Sequence, residues 1–94
     1  MKSIYEMETI ELIRTKQITL KKLTETKLEY KKQEGTILLT TDFKELGLTN
    51  EKMRAAYINE ELFELKTRIK ILENSVTILN DLLQLRFIEQ GGEI

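Results

Sequence analysis

The chain has 94 residues, 40% hydrophobic and 33% charged, with a formal net charge of −1, no proline, no cysteine and no histidine. That composition suits one small helix-rich domain. It excludes a disulfide framework, a thiolate site, and any chemistry that relies on histidine as base, ligand or pH switch. Glu6, Glu8 and Glu11 interrupt the start, so nothing there resembles a secretory signal. No apolar run approaches the length of a membrane span, and the expectation is a cytoplasmic protein without a membrane partner.

In chain order, residues 3–34 read as a first long helix, rich in Glu, Lys, Leu and Ile. Gly35 is the expected stop, preceded by Lys31 and Lys32, which suit the negative end of the helix dipole. Two apolar bands compete on this helix. One contains Ile10, Ile13, Leu20 and Leu23; the other contains Tyr5, Leu12, Thr19, Leu23 and Tyr30. Threonines at 9, 15, 19, 24 and 26 weaken both by lowering helix propensity.

An elbow is expected at 35–49. Thr36-Ile37-Leu38-Leu39-Thr40-Thr41 is β-branched and apolar, which favours a short strand or an extended crossing segment over 36–41. Lacking a strand partner within the chain, it must pair with a second copy, pack as extended chain on the helices, or continue into helix against its propensity. A helical turn follows at 43–46, capped by Asp42 with Glu45 three residues on, and ended by Gly47. Thr49 then reads as the N-cap of a second long helix over 50–88, with Leu48 and Met53 as a hydrophobic staple. Residues 89–94 form a frayed tail. Helices of roughly 48 and 58 Å, at 1.5 Å per residue, make an all-α helical hairpin.

The second helix carries the clearest pattern in the chain. Ala55, Ile58, Leu62, Leu65, Ile69, Leu72, Val76, Leu79 and Leu83 alternate in steps of three and four, an apolar seam over four heptads. With Ala55 at a, the central β-branched a positions and leucines at d favour parallel two-stranded packing. Glu61–Lys66 and Arg68–Glu73 then become attractive g–e pairs. Arg86 stands where the next d leucine would be and marks the end of the seam. A second stripe, Ile71, Ser75, Ile78, Leu82 and Leu85, occupies only the C-terminal half. Apolar groups on two faces need more than one neighbour, so the expected assembly is a dimeric four-helix bundle or coiled coil. The seam from Ile58 to Leu83, with Ile71, Ile78, Leu82 and Leu85 of the stripe, is its expected interface.

Candidate sites are few. Glu60, Glu61 and Glu64 cluster, but bundle metal sites pair glutamate with a Glu-x-x-His motif, and a solvated face is the plainer role. No catalytic, cofactor or metal residue is assigned, and no enzyme activity is expected. Residues 1–34 carry eight basic and six acidic side chains, and residues 51–94 six and eight. Packed antiparallel, two such arms attract one another. Lys16, Lys21, Lys22, Lys27, Lys31 and Lys32 are the candidate nucleic-acid contacts. They are not confined to one helical face and have no aromatic platform beside them, which favours a solvated surface. Phe43, Lys52, Arg54 and Tyr57 near the elbow are the candidate partner surface; their plainer role is to close the elbow.

The stretch from Thr40 to Ile58, in particular Asp42-Phe43, Leu46-Gly47-Leu48-Thr49-Asn50-Glu51, Arg54 and Ala56-Tyr57, resembles the centre of small coiled-coil proteins from phages and prophages of Gram-positive bacteria. The resemblance implies a non-enzymatic accessory protein in the cytoplasm of a bacterial host, binding a host or phage protein of DNA metabolism or defence. It carries no functional residues over. The alternative from another class is a nucleic-acid-binding accessory using the lysine-rich first helix.

Overall fold

The structure, a computed structural model, describes residues 4–91. The described residues are all-helical, without a strand. A 3-10 turn at Ile4–Glu6 precedes α1 (Thr9–Thr40), α2 (Glu51–Glu61) and α3 (Phe63–Glu89). The chain reverses once, through residues 41–50, as a helical hairpin requires. Its residues divide into two compact units. One joins the N-terminal part of α1 to the C-terminal part of α3 (residues 1–24 and 71–94), and the other is the hairpin end, residues 25–70.

α1 begins at Thr9 rather than near residue 3. The Glu8 backbone N–H donates to Glu11 Oε1 at 3.3 Å, and Leu12 N–H closes the first helical bond to Glu8 O at 3.0 Å. Glu8 is therefore the cap, and the acidic residue three positions on satisfies its amide.

At the other end the expectation fails. α1 runs through Gly35 and takes in the segment expected as strand, so residues 36–40 are helical. Three physical reasons combine. A strand here would have no partner among the described residues to receive its backbone groups, whereas a helix satisfies them internally. Extending an established helix adds one bond per residue fixed, and the cost of nucleation falls elsewhere. The threonines also settle into the helix: Thr36 Oγ1 donates to Lys32 O at 3.0 Å and Thr40 Oγ1 to Thr36 O at 2.7 Å.

Of the two bands, the structure packs the second from Leu12 onward, with Thr19 and Tyr30 half-buried, and leaves Tyr5 exposed. Leu12 and Leu23 are buried, while Ile10, Ile13 and Leu20 are exposed. The buried line is a heptad seam in disguise. Leu12, Lys16, Thr19, Leu23, Thr26, Tyr30 and Ile37 are its buried and half-buried members, and positions 12 to 30 step by four and three. Lysine and threonine at those positions hide it from a count of apolar residues.

The reversal is built from caps. Asp42 Oδ1 accepts the Glu45 N–H at 3.1 Å, as its spacing predicts. Leu48 N–H then reaches back to Phe43 O at 2.8 Å and Gly47 N–H to Lys44 O at 3.0 Å. These are the 6→1 and 5→2 bonds of a Schellman stop, and Gly47 takes the φ of +75° that the motif needs.

The next helix starts one residue later than the spacing suggests. Asn50, not Thr49, is the N-cap; its Oδ1 accepts the Met53 N–H at 2.9 Å. Asparagine is the stronger cap, and the shift removes Leu48 and Met53 from staple positions, although both still line one hollow. Asn50→Ala should cost about 1 kcal/mol by urea unfolding. An unchanged midpoint would show the cap contributes nothing.

The expected helix 50–88 is interrupted at Leu62, where φ is −104° and ψ is 16°. Helical bonding resumes around it, with Leu62 N–H on Ile58 O at 2.9 Å and Lys66 N–H on Leu62 O at 3.0 Å. Neither proline nor glycine causes the break. It falls on the most deeply buried side chain of the 25–70 unit, Leu62, so packing rather than local sequence locates it.

Candidate interaction surfaces

At the elbow, Tyr57 on α2 meets Phe43 of the reversal edge-on, with ring centroids 6.1 Å apart and planes at 87°. The Arg54 guanidinium lies 5.8 Å from the Phe43 ring centroid, and its Nε donates to Leu48 O at 3.1 Å. Both interactions fix the turn against the helix that follows it. Phe43, Arg54 and Tyr57 thus form one contiguous group, in which the two rings are half-buried and Arg54 is exposed. Lys52, two residues before Arg54, is exposed. Beside Tyr57 a shallow, mostly apolar hollow is lined by Leu48, Met53, Ala56 and Glu60.

Ile58, Leu62 and Leu79 of the seam are buried within the single chain, and Leu65, Ile69, Leu72, Val76 and Leu83 are half-buried. Only Ala55 is exposed. The seam is therefore largely occupied by the chain's own packing. The stripe behaves differently. Ile71, Ile78 and Leu85 are 58%, 44% and 51% exposed, while Ser75 and Leu82 are half-buried. Ser75 Oγ donates back to Ile71 O at 2.9 Å, which leaves its oxygen as an acceptor. Arg86, at the end of the seam, is half-buried and sends Nη2 to Tyr5 O at 3.4 Å. Three large aliphatics in register on one helix form a surface that water does not favour.

The glutamate cluster lines an open hollow of about 520 Å³ with Gln33, Phe63, Leu65 and Arg68. Phe63 is 66% exposed there, and on its other flank it borders a smaller hollow with Lys66, Thr67 and Lys70. Sequence reading gave Phe63 no role. Its signal was available: Phe63 follows the a residue Leu62, and that b position faces away from the seam's partner. No group of three or more candidate ligands able to hold a metal occurs among the described residues.

The six lysines of α1 are divided between the two units. Lys16, Lys21 and Lys22 belong to one, and Lys27, Lys31 and Lys32 to the other. All are exposed except Lys16, which is half-buried on the packed face. No described helix is long and apolar enough to cross a membrane. No protein-family model matches this chain, nor does any curated protein or solved structure.

Proposed function

We propose that this chain is a non-enzymatic interaction protein that self-associates as a dimeric four-helix bundle and acts by occupying the surface of another protein. One observation carries the reading: Ile71, Ile78 and Leu85 stand exposed on a helix whose main seam is already packed inside the chain. Covering the exposed half of each such side chain is worth about 1 kcal/mol, so a second helix laid along the stripe is the natural way to remove it from water. The Phe43–Arg54–Tyr57 group, with Lys52, then serves as the surface for the other protein, since rigid aromatics and arginine are the side chains that anchor interfaces. The resemblance of the Thr40–Ile58 stretch to phage and prophage coiled-coil proteins supports a partner in DNA metabolism or defence within a bacterial cytoplasm.

Sedimentation equilibrium tests the association. The chain should sediment at twice its 11.1 kDa mass at micromolar concentration. Ile71→Asp combined with Ile78→Asp should weaken self-association by roughly a hundredfold or more, because each copy would bring two carboxylates into the contact. Both positions are exposed, so helicity by circular dichroism should persist. A monomer at every accessible concentration of the unaltered chain would remove the dimer from the proposal. Capture from bacterial cells, with Tyr57→Ala as the control, tests the elbow in the same way.

A further inference from the structure

The stripe also contains the information to orient its partner. Ile71, Ser75, Ile78, Leu82 and Leu85 follow one another by four, three, four and three, which is the d-a-d-a-d order of a heptad. In that frame Asp81 falls at g and Arg86 at e, on opposite flanks of the exposed aliphatics. We propose that this stripe is the seam of a parallel, in-register dimer, and that its occupant is a second copy of the same chain. The inference rests on the reading of the chain as self-associating.

Two arguments select the second copy and its direction. In a parallel pair each layer meets itself, so Ile71, Ile78, Leu82 and Leu85 all find apolar partners. Ser75 meets Ser75 of the second copy, where one hydroxyl can turn its proton from its own Ile71 O to the facing oxygen, a polar layer of the kind that fixes register. Residue g of one helix also faces residue e of the other, five positions on. That places Asp81 opposite Arg86 of the second copy, and the two-fold axis repeats the pair.

The antiparallel alternatives do worse. Antiparallel helices match a layers with d layers and g flanks with g flanks. The register that sets Ser75 against Leu85 brings Asp81 opposite Asp81 and sets Ile71 against Glu89. The register that sets Ser75 against Ile78 leaves Leu85 with no apolar partner. Arg86 is prepared for the parallel contact. Its hydrogen bond to Tyr5 O is long at 3.4 Å, and a guanidinium has five donors in all. That bond holds the arginine near Tyr5, and among the described residues nothing else takes its remaining donors.

The natural absence of cysteine makes the test direct. Ile71→Cys, Ile78→Cys and Leu85→Cys are each made singly in the full chain and oxidised. Parallel layers bring identical positions within disulfide reach, so each variant should cross-link to itself. Separately, Asp81→Arg should weaken the dimer about tenfold, and Asp81→Arg with Arg86→Asp should restore it. Cross-linking of Ile71→Cys or Ile78→Cys only when mixed with a Leu82→Cys variant, the a position that antiparallel registers set against them, would overturn the parallel orientation while leaving the dimer. A chain that stays at 11.1 kDa throughout would overturn orientation and dimer together. Weakening by Asp81→Arg without restoration in the swapped double variant would overturn the Asp81–Arg86 pairing.

Discussion

Leu79→Ala is expected to remove about 3 kcal/mol of folding stability, a large fraction of the total for so small a protein. Leu79 is 1% exposed, and with Leu12 and Leu23 it makes up the buried aliphatic core of the unit formed by residues 1–24 and 71–94. Truncating its isobutyl group to methyl removes apolar burial and leaves a cavity between helices that cannot fully collapse. A larger protein would share that loss among many core residues. Here the described residues hold five buried hydrophobics in all, so each carries a large fraction of the total. Urea unfolding followed by circular dichroism measures the effect. Leu39→Ala is the matched control, because Leu39 is 88% exposed and its truncation should change stability by less than about 0.5 kcal/mol. Equal midpoints for the two variants would mean that Leu79 is not a core residue.

The seam on the second arm was legible because burial there coincides with hydrophobicity. Ile58, Leu62 and Leu79 are both the apolar residues of the pattern and the buried ones. On α1 the two properties part company. Ile10, Ile13 and Leu20 form the more aliphatic band and face water, while Thr19, Thr26 and Lys16 occupy packed positions. Only the geometry of the neighbouring helix decides between such bands, and a single sequence does not contain it. The elbow shows the same division on a smaller scale. Asp42 and Gly47 act as read, because their chemistry is local: a carboxylate accepting an amide, and a residue without Cβ at positive φ. The strand expected over 36–41 fails because β-propensity measures fit to a sheet, and the described residues contain no sheet. Leu62 could not have been picked as a break, since its local sequence is ordinary helix. Among candidate surfaces, the stripe was visible in advance as surplus apolar surface. The rings of Phe43 and Tyr57 could be named but not placed edge to face. Phe63 was passed over because no pattern included it.

Two glycines with opposite tasks supply the sharpest contrast. Gly47→Val should destabilise by about 2 kcal/mol and Gly35→Ala should stabilise by about 0.5–1 kcal/mol. Neither effect comes from crowding, since a Cβ added at either position meets nothing within 4 Å. The difference lies in the backbone. Gly47 holds φ at +75°, where a branched L side chain is strained against its own carbonyl. Valine there must either accept that strain or abandon the Schellman bonds from Leu48 to Phe43 and from Gly47 to Lys44. Gly35 sits inside α1 in ordinary helical conformation. Alanine at that position restricts the unfolded chain and gives up nothing in the folded one. Thermal unfolding of the two variants should therefore move Tm in opposite directions. A loss of stability on Gly35→Ala would mean that the helix does end near residue 35, as the sequence alone suggests, and that residues 36–40 are not helical in solution. The same measurement thus tests the one segment where propensity and hydrogen-bond accounting disagree most.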